Sequence, residues 1–348
     1  MLKTLSFTLL LVSLLTLSAP ASAARLEHLY EAEVAAAGRD TADRDAALQQ
    51  ALQEVLVRLT GSRATLQNPA AVALLENPGT YVEQYRYTEN PAAVGSDTAL
   101  NLWVQFDGVS LARDLRRAGL PYWGPERPDV LVWLAIDDRG RRYLVSEGGR
   151  QPAGDYLKQA AQQQGLPLTL PLMDLQDQRA VDFTDIWGRF VAPVESASQR
   201  YRPQAILTAR LARSSADGSW RADWQLLSGD NRQDWSVHAD DLHAAVDAGI
   251  ADAAEWLAQR YAVVATTEGV RSLVVEGVRT LDDYARVSAY LAALSPVDRV
   301  DVRRAQQHSV EFNLTLSADE RNLRQLIALG RVLQRVDDPA LWHFQLQP

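Results

Sequence analysis

The amino-acid sequence predicts an α+β protein built from three small α/β domains, the last of which has the ferredoxin-like order βαββαβ. Three observations support this prediction. Amphipathic helical stretches alternate with short strand-like runs along most of the chain. A segment rich in proline and glycine, residues 121–128, separates a first group of elements from a second. After residue 270 the elements follow the order strand, helix, strand, strand, helix, strand, which is that of the split βαβ unit.

The first 23 residues are predicted to form a signal peptide. Lys3 supplies the positive charge that precedes an apolar run over residues 5–17, and Ala21-Ser22-Ala23 has the small residues of a cleavage site. The apolar run is too short to span a bilayer comfortably, so we do not expect it to remain as an anchor. We therefore expect cleavage after Ala23 and a periplasmic mature chain without a transmembrane segment.

Composition excludes several classes of function. The chain has 348 residues, a formal net charge of −9 and no cysteine. A chain of this length can bury a large core without covalent links. The lack of cysteine excludes disulfides, thiol catalysis and thiolate metal sites. The acidic charge disfavours nucleic-acid binding, which usually needs a basic surface, so no nucleic-acid partner is expected.

Residues 24–122 are predicted to form an N-terminal α+β domain. A strand over LEHLYEAEVA precedes a helix that Asp40 or Thr41 can cap and that Gly61 ends. Seven apolar residues of this helix recur at helical spacing: Ala47, Leu48, Ala51, Leu52, Val55, Leu56 and Leu59. A short second helix over AAVALLE, two strand-like runs (YVEQYRYTE and ALNLWVQFD) and a closing helix over GVSLARDLRRAGL complete the domain.

Residues 123–265 are predicted to form a central α/β domain that contains an antiparallel meander. The run DVLVWLAI is apolar throughout, as in a strand that is buried on both faces. A helix over GDYLKQAAQQQG, a second strand in LPLTLPL and short helices over residues 174–202 should follow. AILTARL, WRADWQLL and DWSVHA are separated by polar turns and form the meander. A long helix over about residues 241–261 ends the domain.

Residues 270–348 are predicted to form the ferredoxin-like domain. The strand SLVVEGV precedes a helix with a capping box at Thr280 and Asp283, and a second capping box at Ser317 and Glu320 opens the other helix. The apolar face of the first helix is expected to comprise Leu281, Tyr284, Val287, Leu291 and Leu294. VDRVDVRR and SVEFNLTL are the two middle strands, and LWHFQL is the last strand.

The sequence contains none of the catalytic motifs that can be recognised by spacing. The G-x-S-x-G, H-E-x-x-H, P-loop and G-x-G-x-x-G patterns are absent, so no catalytic or cofactor-binding residue and no cofactor are predicted. The segment HADDLH places His238 and His243 around Asp240 and Asp241, and such side chains can bind zinc. Because the aspartates stand where the long helix begins, we interpret them as helix caps and predict no metal site.

Five residues are candidates for a surface that binds a partner or ligand. Among the nine tryptophans, Trp123 and Trp187 lie in irregular stretches and are the best candidates for exposed rings, whereas the other tryptophans in strands and helices are core candidates. Arg299, Arg303 and Arg304 form a local basic patch in an acidic chain. This patch is either a solvated strand face or a docking site.

Four stretches carry a resemblance to a known family. They are RDAALQQALQEVLVRLTG, LWVQFD, AGLPYWGPERPDVLVWLAI and ASQRYRPQAILTARL, which together span most of the first two domains. In these stretches the chain resembles the exported proteobacterial domain-of-unknown-function family 2066. That family has no established activity, so the resemblance implies an exported Gram-negative protein and transfers no site residues. The first two domains also look like modules of periplasmic assembly and translocation proteins, which implies adaptor roles by analogy.

These observations favour a non-enzymatic periplasmic binding or adaptor protein, with other envelope proteins as partners, in envelope assembly or maintenance. Two alternatives remain open. The C-terminal βαββαβ domain could sense a small ligand or a glycan, as in the SPOR-type cell-wall domains that it resembles. The chain could also be a hydrolase with an unrecognised acidic site.

Overall fold

Three β-sheets, each packed against helices, make up the part of the chain that the computed structural model describes, namely residues 28–89, 100–266, 269–336 and 342–347. The predicted α+β class is confirmed. The predicted signal peptide lies outside the described residues. Within the described ranges, no helix has the length and apolar character needed to cross a membrane.

The first sheet has the strand order β1-β3-β2 and is antiparallel throughout. Its elements are β1 (Glu31–Ala36), α1 (Thr41–Thr60), α2 (Pro69–Leu75), β2 (Val82–Glu89), β3 (Leu100–Phe106) and α3 (Gly108–Arg117). All seven apolar residues predicted for the inner face of α1 are buried in one core with β1 and β3. Asp40 caps α1 by accepting a hydrogen bond from the amide of Asp43, at 2.9 Å.

The central sheet has the order β5-β4-β7-β8-β9, with β6 pairing with β4. Its elements are β4 (Val130–Asp138), β5 (Arg141–Leu144), α4 (Pro152–Gln164), β6 (Leu168–Thr169), α5 (Leu175–Ala180), α6 (Phe183–Gly188), α7 (Val191–Ser198), β7 (Ala205–Arg213), β8 (Trp220–Ser228), β9 (Asn231–Ala239) and α8 (Leu242–Tyr261). Strand β4 is buried on both faces, as predicted, because α4 and α8 cover one face while α6 and α7 cover the other.

Close contacts between backbones and side chains fix the position of α8. Gly249 lies where α8 crosses β8, and a Cβ atom at this residue would stand 2.0 Å from the Trp224 ring. Gly61 ends α1 with a φ of 73°, and a Cβ atom at this residue would stand 2.0 Å from the Cβ of Ala258 in α8. The predicted meander β7-β8-β9 is confirmed, and Trp220, Ala222, Trp224 and Leu226 all belong to the buried face. Strand β5 was not predicted, and the strand expected in LPLTLPL has only two residues.

The last sheet has the order β11-β12-β10-β14-β13. Its elements are β10 (Gly269–Glu276), α9 (Leu281–Ala293), β11 (Val297–Ala305), β12 (Ser309–Leu316), α10 (Glu320–Leu329), β13 (Leu333–Arg335) and β14 (His343–Leu346). The six predicted elements are all present. Strand β13 is additional, and it pairs antiparallel with β14, which in turn runs parallel to β10.

The helix starts of the last sheet differ in how well they were predicted. The capping box of α9 is confirmed, because the amide of Asp283 donates to Thr280 Oγ1 at 3.1 Å and the amide of Thr280 donates to Asp283. The box predicted at Ser317 and Glu320 is wrong. Asp319 caps α10 instead, since Ser317 is held in the turn after β12, where its backbone N–H donates a hydrogen bond to the Pro296 carbonyl oxygen at 3.0 Å. Leu281 is 80% exposed, although the sequence predicts it on the buried face of α9.

Candidate binding cleft

A cleft of about 490 Å³ opens at one edge of the last sheet, between α10 and the paired strands β13 and β14. The residues that line it are Arg324, Ile327, Ala328, Gly330, Arg331, Leu333, Gln334, Arg335, Trp342, Phe344 and Gln347. Four of them, Ile327, Leu333, Trp342 and Phe344, belong to the buried core of this sheet. The cleft therefore has an apolar floor and a polar rim, and its volume falls within the usual range for ligand sites.

Trp342 connects the floor of the cleft to its charged rim. The Arg324 guanidinium lies over the Trp342 ring at 4.7 Å from the centroid, and the Arg271 guanidinium lies over the same ring at 5.5 Å. Both distances allow a cation–π attraction. Arg271 also forms an ion pair with Glu320 at the start of α10. The tryptophan is only 9% exposed, so these contacts hold its ring in a fixed position at the cleft.

The cleft carries positive charge that the described part of the chain does not neutralise. Arg331 pairs with Asp129 of the central region, with 3.0 Å between Nη2 and Oδ2. Arg324 and Arg335 are both exposed, and neither has a carboxylate within ion-pair distance among the residues that the structure describes. None of the lining residues that the structure describes is acidic. A ligand with negative charge is therefore the chemistry that this cleft fits.

A second charged cluster is buried where the first two sheets meet, and we name its members, Arg58 and Arg127, the arginine seam. Arg127 uses all five of its N–H donors, at 2.7–3.0 Å, on the backbone carbonyl oxygens of Arg58, Trp123, Gly124, Gln164 and Gly165. Arg58 donates to the carbonyl oxygens of His28, Leu29, Glu31 and Gln163. Arg127 is thus saturated by backbone carbonyls, and Arg58 is held by carbonyls through Nε and Nη1. The seam therefore stabilises the fold.

The electrostatics of the seam explain how two cations are buried together. Burial, and to a smaller extent the charge of Arg58, lower the pKa of Arg127 to about 9, so the guanidinium remains protonated at neutral pH. Several of the accepting carbonyls belong to the last turns of α1 and α4. The negative end of a helix dipole favours a cation at that position. The two helix ends therefore replace the carboxylate partner that a buried arginine otherwise needs.

Glu126, next to the seam, should make stability depend on pH. Burial raises the pKa of this carboxyl to about 7 from its usual 4.5, and Ser295 Oγ donates to it at 3.2 Å. A carboxyl with a raised pKa destabilises the fold as pH rises from its unfolded pKa to its folded pKa. We expect Glu126→Gln to raise the free energy of unfolding by about 2 kcal/mol near pH 8 and hardly at all near pH 4.

Urea unfolding of the two proteins at both pH values measures this effect. The matched control is Glu83→Gln, since Glu83 is exposed on β2 and its replacement should leave both midpoints unchanged. Equal stabilisation by Glu126→Gln at the two pH values would show that the burial of this carboxyl is not the cause.

The prediction that Trp123 is exposed is wrong. Its side chain is 0% exposed, and its ring lies under the guanidinium of Arg127 at 4.1 Å. The Trp123 amide donates to the Leu59 carbonyl at the end of α1, at 2.6 Å. The segment rich in proline and glycine is therefore not a loose linker, because it is packed around the arginine seam.

Trp187 is half-buried on α6, where it stacks on Phe183 with 5.3 Å between the ring centroids. Asp182 and Asp185 form the capping box of this helix. Both candidate tryptophans, Trp123 and Trp187, therefore contribute to packing. Only part of the Trp187 side chain is exposed. The structure does not bring Trp187 together with Trp123, because the two rings belong to different cores.

The predicted basic patch lies on β11, the sheet edge opposite the cleft. Arg299, Arg303 and Arg304 are exposed, as expected. Arg299 pairs with Asp301 at 2.8 Å, and Arg303 pairs with Glu311 at 2.5 Å. The patch is therefore largely neutralised, and the structure does not unite it with either tryptophan.

The histidines of HADDLH are exposed, and Asp241 is the N-cap of α8, which accepts from the amide of Ala244 at 2.8 Å. The cap interpretation is confirmed for Asp241. Within the described ranges, His, Cys, Asp and Glu side chains form no group of three or more that could hold a metal ion.

The cleft residues Arg324, Arg335 and Trp342 were missed by the sequence analysis. Trp342 stands in the predicted last strand, where it reads as a core residue. Arg324 lies on α10 and Arg335 lies on β13, so no single helix or strand pattern contains both arginines. They line the same cleft because β13 pairs with β14 beside α10. The recurrence of arginine at residues 321, 324, 331 and 335, in and just after α10, was the signal that could have found the two arginines.

Comparisons with known proteins give the chain a partial relationship and no activity. A family model described as a domain of unknown function (DUF8605) matches residues 23–124, which is less than half of the chain. No curated protein matches the chain. Among solved structures, the crystal structure of the Thermus thermophilus Protein Y N-terminal domain is 11% identical, covering 38% of this chain and 98% of that chain. Its TM-score is 0.19, so this likeness carries no argument.

Proposed function

We propose that this protein is an exported periplasmic adaptor that binds other envelope proteins without catalysing a reaction, in the assembly or maintenance of a Gram-negative envelope. The observation that carries the proposal is the open cleft beside β13, where Arg324 and Arg335, which pair with no carboxylate of the described residues, add positive charge to an apolar floor. Charged groups around an apolar centre are typical of surfaces that select a partner.

Features of the N-terminal sequence support the proposed export to the periplasm. Lys3, the apolar run after it and Ala21-Ser22-Ala23 have the features of a cleaved export signal. The resemblance to family 2066 is part of the same proposal, while the matching family model is a different one and covers the first region. We also propose that the last sheet is a variant of the ferredoxin-like unit, because β11, β12, β10 and β14 follow the strand order of that fold. It departs from that fold in one respect: β13 is inserted before β14, so that β14 runs parallel to β10 instead of antiparallel.

Site-specific photocrosslinking in the periplasm of a Gram-negative host tests this function. A photoreactive residue replaces Gln334 at the cleft or Val302 on the opposite sheet edge, both of which are exposed. Discrete protein adducts are expected from at least one of these positions and not from the matched exposed residue Glu83. The mature chain should begin at Ala24. A cytoplasmic chain with Met1 intact, or no adduct at either edge, would contradict the proposal.

A second candidate function, the sensing of a small ligand or glycan, is favoured by one observation. Trp342 is held beside the cleft by Arg271 and Arg324, and aromatic rings in such positions can stack on flat or apolar ligand faces. Soluble cell-wall glycan fragments that raise the unfolding temperature of the mature chain, with no effect when Trp342 is replaced by leucine, would support this function over the adaptor.

A further inference from the structure

We propose that the last sheet docks onto the rest of the chain through a proton-dependent contact at Glu126. Docking is tightest when the Glu126 carboxyl is protonated, and a rise in pH through neutrality shifts the last sheet toward an undocked form in which each sheet stays folded. This inference concerns a conformational equilibrium of the protein, so it goes beyond the proposed adaptor function and does not depend on it.

Glu126 lies at the junction between residues 121–128 and the turn that joins α9 to β11. Ser295 of that turn donates from Oγ to a carboxyl oxygen of Glu126 at 3.2 Å, and Ser295 is only 8% exposed. The two segments approach closely, because a Cβ atom at Gly124 would stand 2.1 Å from Ser295 Oγ. Undocking of the last sheet would remove Ser295 and leave the carboxyl open to water.

Further contacts between the last sheet and the rest of the described chain are of a kind that can open. Tyr122 of the first core and Val263 of the last core exchange two backbone hydrogen bonds of 2.9 Å. Arg116 and Asp298 form a partly exposed ion pair, which contributes little. Leu329 at the end of α10 is only half-buried against the central core. Domains that are joined by contacts of this kind commonly move relative to each other.

The charged and titratable groups around Glu126 determine how its carboxyl responds to pH. In the described chain they are Tyr30, Arg116, Tyr122, Arg127 and Tyr290. The Tyr30 and Tyr122 hydroxyls bond to each other at 2.7 Å, and Arg127 gives its donors to backbone carbonyls. Burial outweighs the attraction of Arg127, and the pKa of Glu126 is therefore raised to about 7.

The direction of the pH effect follows from proton binding in the two forms. In the docked form the carboxyl has a pKa of about 7, and in the undocked form, where water reaches it, the pKa falls toward the ordinary 4.5. The docked form therefore holds more protons between these two values, so docking is strongest below pH 4.5 and weakens as the pH rises to 7. Between pH 5 and pH 8 the docking equilibrium constant should fall by about tenfold or more.

Residue-resolved hydrogen exchange of the mature chain at pH 5 and pH 8 tests this inference. The reporters are the backbone amides of Tyr122 and Val263, because each bonds across the junction and loses its acceptor on undocking. After correction for the intrinsic exchange rate at each pH, their protection should be about tenfold or more lower at pH 8. Their exchange should hardly change in about 1 M urea, since undocking exposes little surface, whereas the exchange of core amides in α1 and β12 should accelerate.

Two variants test the cause of the pH dependence. Glu126→Gln keeps the size of the side chain and its acceptor for Ser295 but cannot ionise, so both reporters should be equally protected at pH 5 and pH 8. Gly124→Ala places a Cβ atom against Ser295 Oγ and should lower the protection of both reporters at both pH values. The matched control Glu83→Gln, on the exposed part of β2, should keep the full pH dependence.

Equal protection of the two reporters at pH 5 and pH 8 in the unmodified chain would overturn the inference. An undiminished pH dependence in Glu126→Gln would also overturn it. Reporters that exchange as slowly as the core amides, and with the same dependence on urea, would overturn it as well, because opening would then require unfolding of the whole protein.

Discussion

Replacing Arg127 with methionine is expected to lower the free energy of unfolding by about 4 kcal/mol. Arg127 donates one hydrogen bond to each of five backbone carbonyl oxygens from three segments of the chain. Methionine has a similar shape but no donor. A buried acceptor that loses its donor costs about 1–3 kcal/mol. Removing the buried cation relieves its own desolvation cost and offsets part of this loss. Urea unfolding of the mature chain at neutral pH measures the difference.

Two further variants separate the cause of this loss. Arg127→Lys keeps the charge but presents three donors from a single nitrogen, so it should cost about half as much as Arg127→Met. Arg117→Met removes an arginine that is exposed on α3, and it should change stability by less than about 0.5 kcal/mol. If Arg127→Met costs no more than Arg117→Met, the seam does not hold the first two sheets together.

The elements that the sequence predicted correctly are those in which the pattern of apolar residues matches the faces that neighbouring elements bury. Leu52 and Leu56 recur at helical spacing because α1 lies on a single sheet, and both are fully buried. Strand β4 reads as uniformly apolar because helices cover both of its faces. In each case the local pattern reports the number of buried faces, so the type of element follows from the sequence.

The arginine seam depends on contacts that no local pattern contains. Arg127 donates to the carbonyl of Arg58, which is 69 residues away, and to that of Gln164, which is 37 residues away. Proline and glycine around Trp123 indicate an irregular backbone, and such segments are often exposed. Here the irregular backbone supplies the carbonyl groups that accept from Arg127, and Trp123 is buried for that reason. Its exposure was therefore predicted wrongly although the backbone was predicted correctly.

The cleft could not be predicted because β13 has only three residues. A period of two cannot be recognised in so short a strand, and the sequence analysis placed one strand after α10 where the structure has two. The pairing of β13 with β14 moves Arg335 to the mouth of the cleft, near α10 and Arg324. The site is thus a product of strand pairing, whereas its individual residues look like ordinary surface and core positions.

Replacing Leu291 with aspartate is expected to unfold the last sheet while the first two sheets remain folded. Leu291 is 0% exposed on the inner face of α9, in a core with Leu273 and Phe312. The change removes a buried leucyl side chain, which costs about 2–5 kcal/mol, and places an unpaired carboxylate in the same apolar site. This sum approaches the whole stability of a small domain. Hydrogen exchange of the mature chain should show lost protection across residues 269–336.

The same helix supplies matched controls for this prediction. Ala289→Asp adds the same carboxylate at an exposed position of α9 and should cost less than about 1 kcal/mol. Thr280→Ala removes the cap and should also cost about 1 kcal/mol. Contacts such as Arg116 with Asp298 join the last sheet to the first region, but they are partly exposed ion pairs and contribute little. Loss of protection in all three sheets after Leu291→Asp would therefore show that the predicted boundary near residue 270 does not separate independent folding units.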